Sequence, residues 1–252
     1  MYIRKKILFL LPLIFSLSVL SSDIEEIIVK GEYREKSLGE EDSSIVIIQS
    51  EQIKSQAIKH FQQLSHLVPN LNYAASDSRA RYFQIRGIGE RSGYQGTPNS
   101  SVGFLIDDID YSGQGGIATL FDVDQVEVFR GPQGSRSGAN ALAGLIYIKT
   151  KDPTEKFEGT SELTLGDYGT QNIGIAFGGP MQNKKLKYRL VLRTDYADGF
   201  RKNTYLKKSN TSKKDELTLR YKLNWELNET TNLDFLVSKV DMDDPADIWT
   251  ID

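Results

Sequence analysis

Cysteine is absent from the 252 residues, which excludes disulfide bonds, zinc–thiolate sites and cysteine nucleophiles. Histidine is scarce as well: His60 and His66 are the only two, so a histidine-rich metal site or a Ser-His-Asp triad is poorly supplied. Charge is balanced, with 31 basic against 34 acidic residues, and the sequence lacks the basic excess of a nucleic-acid-binding domain. These absences argue against a metalloenzyme and against a DNA-binding protein.

The only long apolar run stands at the N-terminus. Residues 7–20 are mostly apolar, follow three cations at 4–6 and precede two serines at 21–22. This run is too short to span a bilayer comfortably, and its order is typical of a secretory signal peptide. We therefore predict a cleaved signal peptide at 1–22; a single buried or amphipathic helix is the alternative.

A short charged segment follows at 23–40. Its one apolar patch runs from Glu25 to Gly31 and has the sequence EEIIVKG. β-Branched residues flanked by charges indicate a strand. Two interpretations stay open, namely an ordinary edge strand or an extended peptide that adds to the sheet of another protein.

Residues 41–152 combine strand signals, one helical pattern and glycine-rich loops. We predict strands at 45–48, 82–88, 102–106, 125–129 and 145–148. A helix is predicted from Ser50, which can cap it, to a point before Pro69. Its apolar positions recur at intervals of four, four and three: Ile53, Ala57, Phe61 and Leu64. Together these signals predict a compact domain of mixed α and β structure.

Several patterns in this region suggest chemistry without completing a site. The aspartates at 107, 108 and 110 and at 122 and 124 are interpreted as turns and strand starts, since calcium needs six to eight converging oxygens. The Gly-Ile-Gly at 87–89 lacks the next glycine of a dinucleotide fingerprint, and Arg136 stands where a nucleophile elbow has serine. We therefore predict no enzyme activity, no cofactor and no metal site.

After Pro153 apolar and polar residues alternate with period two. This predicts five β-strands, most with one apolar and one polar face, at 157–165, 173–177, 186–196, 217–225 and 233–237. Three strands approach the roughly 9–11 residues that a tilted transmembrane strand needs. A long polar loop at 197–214 contrasts with compact connections at 178–184 and 228–231, which favours a membrane β-barrel over a soluble sandwich.

Four motifs resemble those of the TonB-dependent outer-membrane receptors. The longest is QVEVFRGPQG at 125–134, continued by GANALAGLIYIKTK at 138–151. QIRGIG at 84–89 is similar to a plug strand of that family, and VGFLIDDIDY at 102–111 to a plug hairpin with Asp108 in place of the usual glycine. EEIIVKG resembles the TonB box, with Lys30 where threonine is usual. The resemblance covers essentially the whole chain.

The resemblance implies a fold class and a division of the chain. The fold is an α+β plug domain followed by the first antiparallel strands of a transmembrane β-barrel, which is incomplete in this chain. The parts are the signal peptide (1–22), a TonB-box segment (23–40), the plug (41–152) and the start of the barrel (153–252). Receptors of this type close with 22 strands, and an open sheet would leave unpaired edges in lipid, so we expect a fragment that does not transport alone.

The resemblance also implies a function and partners. It predicts a receptor in the outer membrane of a Gram-negative bacterium for energised uptake of a scarce nutrient, most often a ferric siderophore; haem, cobalamin and oligosaccharide stay open. The implied partners are TonB with its inner-membrane energising complex, outer-membrane lipid and the nutrient, and not nucleic acid. TonB would pair its sheet edge with the box residues Glu25, Glu26, Ile27, Ile28 and Val29.

Further residues carry over from the family. Arg86 and Arg130 match plug arginines that pair with barrel glutamates in relatives and hold the plug in place; a local role in stabilising turns is the alternative. Loops at 90–101 and 112–116 would face outward and contact the nutrient through Arg91, Tyr94 and Gln114, for which ordinary solvated loop residues are the alternative. The competing function is a secreted or outer-membrane β-rich binding protein or adhesin without transport. A signalling receptor, which usually carries an extra domain before the box, is disfavoured.

Overall fold

The computed structural model describes most of the chain after the predicted signal peptide. The described residues are 26–32, 34–75, 79–92, 99–182, 184–205, 207–209 and 211–244. Two predicted site residues, Glu25 and Tyr94, lie outside them. The described residues form a mixed N-terminal part, which includes the predicted plug, and a five-stranded sheet that we call the wall.

The N-terminal part contains nine strands and two short α-helices among the described residues. In chain order they are β1 (Ile28–Val29), β2 (Lys36–Ser37), β3 (Ile45–Gln49), α1 (Ser50–Ser55), β4 (Leu71–Ala75), β5 (Ala80–Ile85), β6 (Val102–Ile106), β7 (Ile109–Asp110), β8 (Val123–Phe129), α2 (Gly134–Ser137) and β9 (Gly144–Thr150). 3₁₀-Helices add Leu38–Glu40, Phe61–Leu67 and Gly115–Ile117. The main plug sheet has the order β3-β8-β9-β6-β7, and β6 and β9 are its parallel pair.

The plug core lies where this sheet packs against the segments that follow β3. β8 and β9 are central strands and carry apolar residues on both faces, so Val126, Val128, Ile146 and Ile148 are fully buried. Three aromatic rings also pack together in this core, those of Phe61, Phe83 and Phe104, with ring centroids 5.0 to 5.4 Å apart. Edge and offset contacts of this kind add to the stabilisation from burial itself.

The predicted helix from Ser50 to Pro69 is wrong in its length. α1 ends at Ser55, and Ala57 has a φ of +52°, a left-handed conformation that ends a right-handed helix. The chain then resumes as the 3₁₀-helix Phe61–Leu67, which buries Phe61. Alanine is a strong helix former, so the local sequence does not mark this break. None of the helices in the described part of the chain is long and apolar enough to cross a membrane.

The predicted strand at 82–88 is also displaced. β5 ends at Ile85 because the next two residues form a turn, with φ of +54° at Arg86 and +83° at Gly87. Its antiparallel partner β4 was not predicted from the sequence. β4 has one buried residue in five, Leu71, so its apolar pattern is too weak to announce a strand.

The wall is an antiparallel meander in which each strand pairs with the next in sequence. Its strands are β10 (Glu158–Leu165), β11 (Gln171–Pro180), β12 (Leu186–Ala197), β13 (Lys214–Asn228) and β14 (Thr231–Met242). All five predicted strands are confirmed, and four of them are longer than predicted. The longest connection, 198–213, joins β12 to β13 at the same end of the sheet as the turn 166–170.

The wall buries its charged face and exposes its apolar face, the reverse of a sheet in a soluble protein. Cationic side chains on β12 and β13, including Arg189, Arg193 and Lys222, are buried against the plug. The other face exposes apolar side chains: Leu163, Leu165, Ile173, Ile175, Leu190, Leu219, Leu233, Phe235 and Val237. A contiguous apolar surface of this kind is typical of contact with lipid or with another protein.

Candidate functional site: a charged plug–wall interface and a docked strand

Ion pairs make the closest polar contacts between plug and wall. Arg189 on β12 donates from Nε to Asp122 Oδ2 at 2.7 Å and from Nη2 to Asp122 Oδ1 at 2.5 Å. Its Nη1 donates to Glu158 on β10 at 3.0 Å. The Arg189 and Asp122 side chains are only 2% and 3% exposed. A buried bidentate pair fixes orientation as well as distance, so it sets the position of the start of β8 against β12.

On the next strand, β13, a second cation of the wall binds the plug. Lys222 Nζ on β13 donates to Asp107 at 3.0 Å, to Asp152 at 2.9 Å and to the carbonyl oxygen of Thr150 at 3.1 Å. These three bonds use the three protons of the ammonium group. Asp107 also accepts the backbone N–H of Thr150 at 2.9 Å, so one lysine ties the β6–β7 turn to the end of β9.

At the other end of the interface the charges are reversed. Arg79 of the plug forms a buried ion pair with Glu216 on β13, and its Nε donates to Asp244 at 2.5 Å. The side chains of Glu216 and Asp244 are 1% and 4% exposed. Arg79 directly precedes Ala80, the first residue of β5. Its ion pairs therefore hold the start of β5 to the wall.

An apolar contact also joins the plug to the wall. Phe121 of the plug packs on Ala176 and Val191 of the wall, and the Arg193 guanidinium lies 5.4 Å from the centre of its ring. A Cβ atom at Gly174 would come within 2.6 Å of Phe121 Cε2, so glycine leaves the space that this ring occupies. The Phe121 ring therefore packs against Gly174 of the wall, and any larger residue at position 174 would clash with it.

The sequence reasoning missed the ion-pairing role of the plug aspartates. Asp107 and Asp122 do lie in turns, with φ of +47° and +59°, as the sequence predicted. Their carboxylates, however, also bind the wall. The sequence signal for this role is the cations at alternate positions of β12 and β13, since a buried cationic face requires acidic partners.

The two arginines predicted to anchor the plug lie elsewhere. Arg130 Nη2 donates to Ser44 Oγ at 2.9 Å, and the Arg130 backbone N–H donates to the Ser44 carbonyl at 2.8 Å. Arg86 lies in the turn after β5 with its side chain exposed. Their pairing with barrel glutamates stays a prediction, while the anchors that the structure shows are Asp107, Asp122 and Arg79.

The predicted TonB-box segment is docked on the plug. β1 pairs with β2 in a two-stranded antiparallel sheet, with Ile28 opposite Ser37 and Val29 opposite Lys36. Val29 is fully buried in a cluster with Leu105, Ala141, Leu145, Tyr147 and Phe129. Of the two interpretations of this segment, the structure shows a strand paired within its own chain.

One buried carboxylate holds the end of the docked strand. Glu127 on β8 accepts the backbone N–H of Lys30 at 2.6 Å and that of Gly31 at 2.8 Å. Beside it, Gln125 Nε2 donates to the Ile28 carbonyl at 2.9 Å, and Lys30 Nζ lies 2.6 Å from Asp124. Burial raises the pKa of the Glu127 carboxyl, and the N–H groups that it accepts partly oppose that rise.

Two of the three residues predicted to contact the nutrient, Gln114 and Arg91, lie in the described part of the chain. Gln114 is exposed and, with Arg79, Met242 and Asp244, lines a cavity of about 240 Å³ between plug and wall. Arg91 is exposed just before the segment 93–98, which lies outside the described residues together with Tyr94. Contact of these three residues with a nutrient stays a prediction.

A larger cavity of about 290 Å³ lies between the plug and the wall end that carries the long loop. Its lining includes Lys59, His60, Arg79, Tyr168, Tyr196 and Phe200. His60 Nε2 donates to the Gly116 carbonyl at 2.9 Å, and its Nδ1 is buried without a hydrogen-bond partner. Burial, with the Arg79 cation second, lowers the pKa of His60 to about 3, so the imidazole is neutral at ordinary pH.

Metal binding finds no support in the arrangement of these residues. Across the described ranges, no group of three or more histidine, aspartate or glutamate side chains comes together as a metal site. The aspartates at 107 and 122 are occupied by Lys222 and Arg189, which leaves their oxygens committed to protein donors. The contacts described above hold one domain against another and hold a peptide on that domain.

The described residues thus form a mixed domain that buried ion pairs hold against the polar face of a sheet whose other face is apolar. Residues 37–145 match the family model described as TonB-dependent Receptor Plug Domain. The chain therefore contains a plug domain of the TonB-dependent receptor type, followed by antiparallel strands.

Known proteins with related sequences are receptors. The chain is 24% identical over 192 residues to the pesticin receptor of Yersinia pestis. This match covers 75% of this chain and 28% of that protein. It is 23% identical over 139 residues to the ferripyoverdine receptor of Pseudomonas aeruginosa, with coverage of 55% and 16%. The chain thus spans about a quarter or less of the length of these relatives.

Solved structures share the fold. The ferric yersiniabactin uptake receptor FyuA from Yersinia pestis superposes with a TM-score of 0.70 at 22% identity, covering 79% of this chain and 31% of that one. The ferripyoverdine receptor of the outer membrane of Pseudomonas aeruginosa gives a TM-score of 0.70 at 19% identity, covering 85% and 27%. At such identities the likeness establishes the fold.

Proposed function

We propose that this chain is the plug end of a receptor for TonB-energised uptake of a ferric siderophore or similar iron complex. The receptor lies in the outer membrane of a Gram-negative bacterium and reaches it through a signal peptide removed near residue 22. The observation that carries the proposal is a plug domain with a docked N-terminal strand, seated against a wall with an apolar outer face. The iron complex is suggested by relatives whose names include ferripyoverdine, ferrioxamine B and ferric yersiniabactin.

TonB engages residues 26–29 by strand addition. This mode uses backbone hydrogen bonds and tolerates varied side chains, so Lys30 is compatible with it. The docked strand is the resting arrangement, because the Ile28 carbonyl is occupied by Gln125 and the Val29 side chain is buried. The strand must leave the plug before TonB pairs with it.

A pull on the docked strand acts first on β8. Glu127, Gln125 and Asp124 of this strand hold the segment 28–31, and Asp122 just before β8 is paired with Arg189 of the wall. The same short stretch of chain therefore connects the docked peptide to the wall. Force on the peptide therefore reaches β8 and the ion pair between Asp122 and Arg189. A passage for the nutrient would open where this pair holds the plug against the wall.

The test uses the complete receptor in cells. Ile28→Pro removes a backbone donor that strand addition needs, so we expect loss of energised uptake of iron complexes and unchanged binding at the cell surface. Ile28→Val keeps the donor and serves as the matched control. Uptake that survives Ile28→Pro would sink the box assignment, and failure to bind any ferric siderophore would sink the substrate assignment.

A further inference from the structure

The loop between β12 and β13 is rich in positive charge. Residues 199–214 include six cations and no carboxylate, in a protein whose formal net charge is -3. The cations are Arg201, Lys202, Lys207, Lys208, Lys213 and Lys214. We call Arg201, Lys202, Tyr205, Lys207 and Lys208 the basic tip.

The basic tip is held in a defined shape by the backbone. Asn203 and Lys208 exchange hydrogen bonds of 2.8 and 3.2 Å in an antiparallel bridge. Below them, Ser212 Oγ accepts the backbone N–H groups of Phe200 and Arg201 at 3.1 and 3.3 Å. These contacts bring the outgoing pair of cations, at 201–202, alongside the returning pair, at 207–208.

The side chains of the basic tip face solvent. Its four cations are exposed, and Tyr205 is 91% exposed. The neighbouring carboxylates are occupied: Asp215 and Asp243 by Lys213, and Asp198 by the Tyr196 hydroxyl. Four cations held together in this way repel one another, and a polyanion would relieve that repulsion.

The position of the tip favours one kind of polyanion. The tip extends from two strands whose exposed face carries Leu190 and Leu219, so it stands at the edge of the apolar surface. Longer loops lie on the outer side of outer-membrane barrels. Lysine and arginine beside exposed aromatic residues at the end of lipid-facing strands are typical of the membrane interface, where they meet anionic headgroups.

A ligand inside the plug–wall cavity fits the tip less well. The loop contributes Gly199, Phe200 and Ser212 to the lining of the 290 Å³ cavity, and β13 contributes its first residue, Lys214. The four cations of the basic tip lie outside that lining. Their charge is therefore directed at the surroundings of the receptor rather than at its interior.

We propose that the basic tip binds the phosphate groups of an anionic glycolipid headgroup in the outer leaflet. The inference rests on the proposed placement of the wall in the outer membrane. A cation near an anionic lipid surface contributes about fivefold in affinity, so losing two should weaken binding by at least about tenfold. Salt should weaken it as well, because exposed charges are screened.

The experiment measures binding of diphosphoryl lipid A to the complete receptor in detergent micelles, by fluorescence anisotropy. We expect Lys207→Gln with Lys208→Gln to lower the affinity at least about tenfold and Lys207→Arg with Lys208→Arg to preserve it. The matched control is Lys184→Gln with Lys185→Gln, two exposed lysines in the turn at the opposite end of the wall, which should change nothing. Lipid A without phosphates should bind weakly to all of these proteins.

Three outcomes would overturn the inference. One is equal affinity for the Gln and wild-type proteins. Another is an equal loss in the control pair, which would mean unspecific attraction to positive charge. The third is competition by millimolar inorganic phosphate as strong as by lipid A, which would indicate a site for free anions. Uptake of iron complexes is measured separately, so its failure beside normal lipid A binding would count against the transport proposal alone.

Discussion

Arg189 of the wall and Asp122 of the plug form a bidentate ion pair in which both side chains are almost completely buried, with N–O distances of 2.5 and 2.7 Å. The residues are 67 positions apart in sequence. Such a pair is costly to break from one side, because the remaining charge is then buried without a partner. The plug is therefore held in place by a contact that is stable only when both partners are present.

Asp122→Asn should destabilise the seated plug by about 3 kcal/mol, since it removes the buried bidentate carboxylate partner of Arg189 and leaves the half-exposed Glu158 as its remaining one. The double variant Asp122→Leu with Arg189→Met should lose less stability than either single charge removal, because it removes both members of the pair together. The measurement is native-state hydrogen exchange of the β8 and β9 amides in urea.

The exposed pair Lys239–Asp241, at 3.4 Å, provides the comparison. Asp241→Asn should change the same exchange rates by less than about 1 kcal/mol, as is usual for surface pairs. If Asp122→Asn had an equally small effect, the Arg189 pair would not be what seats the plug.

Gly31→Ala should release the docked strand. A Cβ atom at this position would lie 2.6 Å from Glu127 Oε2 and 2.7 Å from Phe129 Cε2, so the segment 28–31 must move away from its buried acceptor. We expect faster hydrogen exchange of the Lys30 amide, by about tenfold or more, because it loses the bond to Glu127 that costs about 1–3 kcal/mol to leave unmade.

Gly39→Ala is the matched control, since the nearest atom to a Cβ there is Ser37 Oγ at 3.9 Å. It should leave exchange at Lys30 unchanged. Equal protection of Lys30 in the wild type and in Gly31→Ala would show that Glu127 does not hold the strand. Release of the strand should also raise the affinity for TonB, which tests the resting arrangement in the proposed mechanism.

His60→Gln should remove part of the acid sensitivity of the fold. The pKa of His60 is lowered by burial from its ordinary value near 6.5 to about 3. Between these values the unfolded chain takes up a proton that the folded chain does not, so wild-type stability decreases as the pH falls through this window. Glutamine can still donate to the Gly116 carbonyl but gains no proton.

The measurement is the difference in free energy of unfolding between wild type and His60→Gln at pH 7 and at pH 4. We expect the free energy of unfolding to fall more for the wild type than for His60→Gln when the pH is lowered from 7 to 4. His66→Gln, at an exposed position in the same 3₁₀-helix, should show the same pH dependence as the wild type. Parallel curves for wild type and His60→Gln would mean that the imidazole is not buried as a neutral group.

Much of the architecture was predictable because it depends on local patterns. Period-two alternation predicts the five strands of the wall without knowledge of their neighbours, since it arises from the pleat itself. The RGPQG turn and the small residues after it likewise indicated the family. The predicted helix from Ser50 and the predicted strand at 82–88 were wrong at Ala57 and Arg86. At both residues the backbone turns through positive φ, which alanine and arginine rarely adopt, so the sequence does not indicate the turn.

The sequence by itself determined the strands of the wall, the family of the plug and the apolar character of the segment at 27–29. Only the tertiary structure decided which face of the wall meets the plug, because alternation is the same whichever side is inside. It also decided that Glu127 holds Lys30 and that Asp122 holds Arg189. These partners are 97 and 67 residues apart, and no local periodicity relates charges that become neighbours only when two domains pack and exclude water between them.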